Sequence, residues 1–367
     1  MRLDGHPQVT GLACRMAAPT RRRRRSRTAP AVVALLATAT ACTGGAPGPG
    51  SVGASPLSAP TSAPTSSLPS ASTAAAAQTP PSTSPSDSPS PSASPVTPPR
   101  ADAFDVDTVL GGIRALAAIG PRDAASPASD RAAAYVAGRL RAAGYRVTLQ
   151  PVAVPAGVSW GVRVPGGTTV DVVADPPGFD PTQPHVVVGA HLDTVPQSPG
   201  AEDNASGLMV MAEVARMTLQ QPGALPVRFV AFGAEEARGG NGTLYAFGSR
   251  HFVAGLGASE RRAVRGMVAL DRVGVRAAAV PVCHLAGAGT SLADAIRRAA
   301  VPVAATRACV NRASDHVSFE RVGIPAVRLG SVPYAAYHSA TDVPTVVDRG
   351  QLARSGAVLW AWIRSLR

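Results

Sequence analysis

From about residue 185 onward the chain repeats one pattern: an apolar, β-branched run stops at a polar patch. His185 to Gly189 leads into His191-Leu192-Asp193, Val227 to Phe232 into Glu235-Glu236, and Val264 to Leu270 into Asp271. Glu202-Asp203-Asn204 and Tyr337-His338, with Asp342 nearby, lie in loops after such runs. A carboxylate drawn into a buried strand end is costly unless it is paired or coordinates a metal. One such patch is explained by a cap or a salt bridge, whereas five in one domain point to a shared site.

The spacing of apolar residues gives a mixed architecture. Helical periodicity runs through Asp105 to Ile119, Ser129 to Ala143, Gly207 to Leu219, Phe247 to Leu256, Ser291 to Ala300 and Gln351 to Leu366. Tyr145 to Val154, Thr168 to Val173 and Ala326 to Leu329 read as strands, beside the three buried runs above. Strands alternating with helices predict an α/β fold: a central, mostly parallel mixed sheet covered by helices on both faces, in three layers. Polar patches at strand ends then fall where open α/β sheets place their sites.

Two patches suggest a chemistry when taken with the others, though neither does so alone. In His191-Leu192-Asp193 the polar side chains share one face, so the imidazole can bind a metal through one nitrogen while the carboxylate holds the other N–H. Adjacent Glu235 and Glu236 can divide their roles, one to a metal and one to a water. Met209 and Met211 read as core, His251 and His284 as ordinary polar residues, and Trp360 and Trp362 as packing for the last helix.

Taken in order, these pieces resemble a known family. They are Gly189-Ala190-His191-Leu192-Asp193, Gly200-Ala201-Glu202-Asp203-Asn204-Ala205-Ser206-Gly207, and Phe232-Gly233-Ala234-Glu235-Glu236. Leu270-Asp271-Arg272-Val273-Gly274, Ser314-Asp315-His316 and Ala336-Tyr337-His338-Ser339-Ala340-Thr341-Asp342 follow. The set resembles the co-catalytic zinc aminopeptidases of peptidase family M28, including the secreted bacterial ones, over about residues 100–367. The resemblance implies the zinc-aminopeptidase (phosphorylase/hydrolase-like) fold and two Zn2+ ions. It makes Asp203 the bridge, with His191 and Asp271 completing one site and Glu236 and His338 the other. Two imidazoles and three carboxylates suit zinc. By the same resemblance Glu235 is the general base, Asp193 orients His191, and Tyr337 donates to the tetrahedral intermediate. His316 is assigned no metal.

The implied activity is release of N-terminal residues from peptide substrates. A carboxypeptidase or dipeptidase is an alternative that needs a carboxylate-binding cation, for which Arg272 is the candidate. A glutaminyl-cyclase-like acyltransferase on the same fold is another, and the retained His191 and Asp271 argue against it. This chain departs from the family pattern at Glu202, at Arg272, and in a glycine-rich insertion, Ala237 to Phe247, that can form part of the substrate rim.

The formal charge of +12 is no nucleic-acid signal. Eight arginines against one acid lie before Cys42, so +5 remains on the rest, with no basic stripe interleaved with aromatics. Residues 1–41 read as an export segment: arginines 21–25 and Arg27 precede an apolar run, Ala29 to Ala41, too short to span a membrane. Ala39-Thr40-Ala41-Cys42 resembles a bacterial lipoprotein processing site, which predicts a lipid anchor on Cys42 and an extracytoplasmic protein, membrane-held or secreted. Residues 42–99, rich in Pro, Ser, Thr, Ala and Gly, have too little apolar side chain to offset the entropy of folding and read as a tether. Residues 100–367 form the one catalytic domain, expected to be a monomer. Cys283 and Cys309 can pair outside the cytoplasm, and the sequence leaves open whether they do.

Overall fold

The computed structural model describes residues 103–239 and 244–367. The export segment 1–41, the tether 42–99 with Cys42, and residues 240–243 of the insertion lie outside the described residues. No helix among the described residues is long and apolar enough to cross a membrane.

The strands are β1 Arg146–Val154, β2 Gly157–Ser159, β3 Val162–Val164, β4 Gly167–Asp175, β5 His185–His191, β6 Val227–Phe232, β7 Val264–Asp271, β8 Val280–His284, β9 Thr306–Val310 and β10 Ala326–Gly330. The helices are α1 Val106–Ala118, α2 Pro127–Ala142, α3 Gly207–Gln220, α4 Phe247–Gly255, α5 Ala258–Ala263, α6 Ser291–Ala300, α7 His316–Glu320 and α8 Arg349–Ser365. Eight strands form one sheet in the order β1-β4-β6-β5-β7-β10-β8-β9. The central four, β6-β5-β7-β10, are parallel to one another. Antiparallel pairing returns at β1–β4, β4–β6 and β10–β8.

The period of two along each central strand divides the core into two layers. Val186, Val188 and Ala190 of β5 face one cluster with residues of α1, α2, α3, α6 and α8. Val187 faces the other, with Phe252 and Val253 of α4 and Phe319 of α7. Strands covered on both faces have no polar side, which is why these runs are continuously apolar. Met209, Met211 and Trp362 are buried in the larger cluster, as their helical spacing predicts.

Local signals set most helix ends. Asp105 caps α1 by accepting from the N–H groups of Asp107 and Thr108, and Ser126 caps α2 just ahead of Pro127. α8 starts at Arg349, slightly before the apolar run, because Asp348 accepts the N–H of Gln351 at 2.7 Å. Cys283 on β8 is joined to Cys309 on β9, residues paired across adjacent strands. Closing the 26-residue separation between them contributes about 3 kcal/mol by restricting the unfolded chain.

Elements that periodicity did not reveal are short. β2 and β3 have three residues each, and β8, β9 and α7 five, too few to establish a period. β2 and β3 form a hairpin whose two turn residues, Trp160 and Gly161, both take left-handed conformations, as a tight two-residue hairpin turn requires.

Candidate active site

The four parallel strands deliver the site at their C-terminal ends. His191 is the last residue of β5 and Asp271 the last of β7, while Glu235 and Glu236 follow the end of β6. Asp203 lies in a π-type turn, Ala201–Ser206, ahead of α3, and His338 in the loop after β10. The structure therefore brings together all five residues that the resemblance implied as ligands.

Asp203 is at the centre. Its Oδ1 lies 3.1 Å from Nε2 of His191, and its Oδ2 lies 3.2 Å from Nε2 of His338. Glu236 Oε1 is 3.1 Å from the same nitrogen of His338, and Asp271 Oδ1 is 3.8 Å from Nε2 of His191. One carboxylate thus faces two imidazoles, each with a second carboxylate beside it. His191, Asp203 and Glu236 each present a ligand atom within 4.8 Å of the others.

The residues fit a cationic group. Burial opposes charge on His338, yet the carboxylates of Asp203 and Glu236 raise its pKa to about 9. Burial likewise works against His191, and its contacts with Asp193, Asp203 and Asp271 carry it well above the usual imidazole range. Burial would raise Asp203, but hydrogen bonds from both histidines hold it low. An assembly that pulls protons onto its imidazoles is short of positive charge, and a divalent metal supplies that charge at the same atoms.

Asp193 does two jobs with different atoms. Its main-chain carbonyl lies 3.1 Å from Nδ1 of His191, while its carboxylate is 3.6 Å from that nitrogen. The carboxylate accepts the N–H groups of Glu235 at 2.8 Å and Glu236 at 3.1 Å, which fixes the turn carrying both glutamates. Burial raises the carboxyls of both, Glu236 to about 6 and Glu235 well above the usual range, with repulsion from Glu236 adding to Glu235.

Residues that sequence reasoning left without a role support this frame. Asp342, fully buried, accepts the N–H groups of Glu202 and Asp203 and the Tyr334 hydroxyl. Glu202 accepts the N–H groups of Gly274 and Val275, tying the Asp203 turn to the segment after Asp271. Buried Arg122 donates to the carbonyls of Leu192, Pro199 and Gly200 and pins the loop between His191 and Asp203. Arg328, on β10, places Nη2 2.8 Å from Asp271 Oδ1. A lone arginine in the apolar run Ile324 to Leu329 was the available signal for that partner.

Arg272 points inward. Its Nη2 donates to Ser331 at 2.8 Å, its Nε lies 3.6 Å from Asp271, and its guanidinium stacks 4.3 Å over the Tyr337 ring. Tyr337 in turn stacks on His338 with ring centroids 3.7 Å apart. Trp160, at the tip of the β2–β3 hairpin, packs edge-on against His338 at 4.3 Å. Ala246, Arg272, Ser314 and His338 take left-handed backbone conformations around the site, where such strain concentrates when surrounding contacts hold it. His316 is buried with neither ring nitrogen hydrogen-bonded, and burial lowers its pKa to about 3.

A cavity of about 460 Å³ opens beside this cluster. Glu235, Glu236, Tyr337, His338 and Trp160 line it, together with Ala237 and Tyr245 of the insertion.

The family model for peptidase family M28 matches residues 171–363, more than half of the chain, including His191, Asp203, Glu235, Glu236, Asp271 and His338. The chain belongs to peptidase family M28. Within the family it is 33% identical over 187 residues to the aminopeptidase YwaD of Bacillus subtilis, covering 48% of this chain and 40% of that protein. The matched stretch therefore spans less than half of that relative's length. Its fold is that of BSAP, a zinc aminopeptidase from Bacillus subtilis, with a TM-score of 0.63 and 20% identity over 72% of this chain and 95% of that one. The glutaminyl cyclase of Tannerella forsythia shares the same fold, with a TM-score of 0.60 and 20% identity over 72% of this chain and 100% of that one.

Proposed function

We propose that this M28 member is a zinc-dependent aminopeptidase that binds two Zn2+ ions and hydrolyses the first peptide bond of peptides. The observation that carries the reading is the placement of Asp203, whose two oxygens face His191 and His338 separately. A carboxylate so placed suits a bridge between two cations, with His191 and Asp271 on one side and Glu236 and His338 on the other.

Zinc held by these residues would polarise the scissile carbonyl and acidify the attacking water. Glu235, on the cavity wall, accepts a proton from that water as its oxygen bonds to the carbonyl carbon. The raised pKa of Glu235 suits it to hold the proton and pass it to the leaving nitrogen as the C–N bond breaks. Burial also raises the Tyr337 phenol, so its O–H stays protonated and can donate to the developing oxyanion. Asp193 keeps Glu235 and Glu236 in register through their amides. The protein works outside the cytoplasm, exported by residues 1–41 and held by lipid on Cys42. The Cys283–Cys309 disulfide supports an oxidising compartment.

The test is mass spectrometry of products from zinc-loaded protein, using each peptide with a free and an acetylated N-terminus. Shortening from the N-terminus only in the free form is expected. C-terminal shortening of both forms would replace the reading with a carboxypeptidase. A loss of ammonia or water without shortening would indicate cyclisation, the activity named for the Tannerella structure.

A further inference from the structure

The cavity beside the metal-fitting cluster has a second wall whose charge the peptidase reading does not use. Arg250, Arg312 and Arg321 line it. Arg250 belongs to α4, Arg312 to the loop before α7, and Arg321 follows the end of α7. α4 and α7 pack together, with Ser249 and Ser318 hydroxyls 2.9 Å apart and Phe252 stacked near Phe319. Arg250 and Arg321 thus project from α4 and the end of α7, which pack together, with Arg312 in the adjoining loop; all three are solvent-exposed, and Arg250 also donates to the Tyr245 carbonyl at 3.5 Å.

Among the described residues none of these three arginines has an ion-pair partner. Among the described residues, the acids lining the cavity are Glu235 and Glu236, which stand with the metal-fitting cluster. Three like charges around one cavity repel one another, and the arrangement is relieved by an anion. Guanidinium groups bind a carboxylate in particular, through paired N–H donors. Arg272, the cation that the sequence offered for this purpose, is already engaged by Asp271, Ser331 and the Tyr337 ring, and does not line the cavity.

We propose that Arg250, Arg312 and Arg321 form a carboxylate-binding subsite that selects peptides carrying an anionic group close to the scissile bond. This rests on the peptidase reading above. The carboxylate is that of an acidic side chain next to the cleaved bond, or the C-terminus of a very short peptide. Trp160 and Tyr337 provide an apolar flank for the stem that carries it.

The experiment compares kcat/KM of the zinc-loaded full chain on matched peptides. One arm uses X-Ala-Ala-amide with X as Leu, Gln or Glu; the other uses Leu-Ala with a free and an amidated C-terminus. At least one ratio, Glu over Gln or acid over amide, is expected to reach about tenfold. It should fall toward one in the Arg312→Gln/Arg321→Gln double variant and in 1 M salt, where screening acts within about 3 Å. The arm that shows the ratio identifies the carboxylate's source. Hydrolysis of these peptides with both ratios within twofold, or with ratios that the double variant leaves unchanged, overturns this inference alone. If no peptide is cleaved, the peptidase reading falls and this inference with it.

Discussion

Arg328 and Asp271 form an ion pair at 2.8 Å with both side chains almost fully buried. The arginine meets the same Oδ1 that lies 3.8 Å from Nε2 of His191, so it stands at the edge of the metal-fitting cluster. Removing one partner of a buried pair typically costs about 3–5 kcal/mol because the other charge is stranded. Bound zinc would compensate that stranded charge, so Arg328→Met should lower the melting temperature more in chelator than with zinc. By linkage the variant should then bind zinc more tightly than the wild type. Thermal melts with and without a chelator check the first part, and competition with a chromogenic chelator checks the second.

Asp342 holds the turn bearing Asp203 by accepting two consecutive main-chain N–H groups, from Glu202 and Asp203. Asn at this position would offer one carbonyl oxygen and turn an N–H toward the other donor. Zinc affinity in Asp342→Asn should fall by roughly 10–100-fold, the usual cost of losing a partner that orients a ligand. Isothermal titration with zinc measures it.

Glu235 and His338 should separate chemistry from metal binding. Glu235→Gln is expected to reduce kcat by roughly 10²–10⁴-fold with zinc content unchanged. His338→Ala should lower both. Metal analysis of the purified variants beside their rates distinguishes the two, and a Glu235→Gln protein that lost zinc would reassign that residue as a ligand.

Asp171 gives a pH dependence of stability away from the catalytic cluster. It is fully buried, it accepts the Gly233 N–H at 2.8 Å, and its other oxygen lies 3.5 Å from His251. Burial pushes its pKa up to about 7 from an ordinary value of 3.8. Between those values the folded chain holds a proton that the unfolded chain has released. Raising the pH through that window therefore favours unfolding, by up to roughly 1.4 kcal/mol per pH unit. Denaturant titrations between pH 4 and 7 should show stability falling with pH, and a shallower fall in Asp171→Asn, which keeps an acceptor for Gly233.

The site was legible in the sequence where a strand end fixes the side chain. His191 and Asp271 close buried strands, and the glutamates follow a third, so parallel pairing alone brings them to one edge. The central sheet was legible for the same reason, since continuous apolar runs have few other uses. The missing parts depend on contacts distant in sequence. Arg328 meets Asp271 through strand pairing across 57 positions, and Asp342 meets Glu202 across 140. Trp160 reaches His338 only because a hairpin of two three-residue strands, invisible to any periodicity, carries it to the cavity. Asp193 shows a subtler limit: the spacing placed it beside His191, but its carboxylate serves the amides of Glu235 and Glu236.

Arg238 is buried two residues beyond Glu236, and its guanidinium donates to the carbonyls of Pro155, Ala124 and Pro165 and to Asp123. Its own carbonyl accepts the N–H of Val158, and a side chain at Gly157 would collide with that oxygen. The hairpin that carries Trp160 is thus fastened to the same short segment that carries Glu235 and Glu236. A bulkier residue at the hairpin root, as in Gly157→Ala, would therefore press on the segment that carries both glutamates as well as on the cavity wall at Trp160.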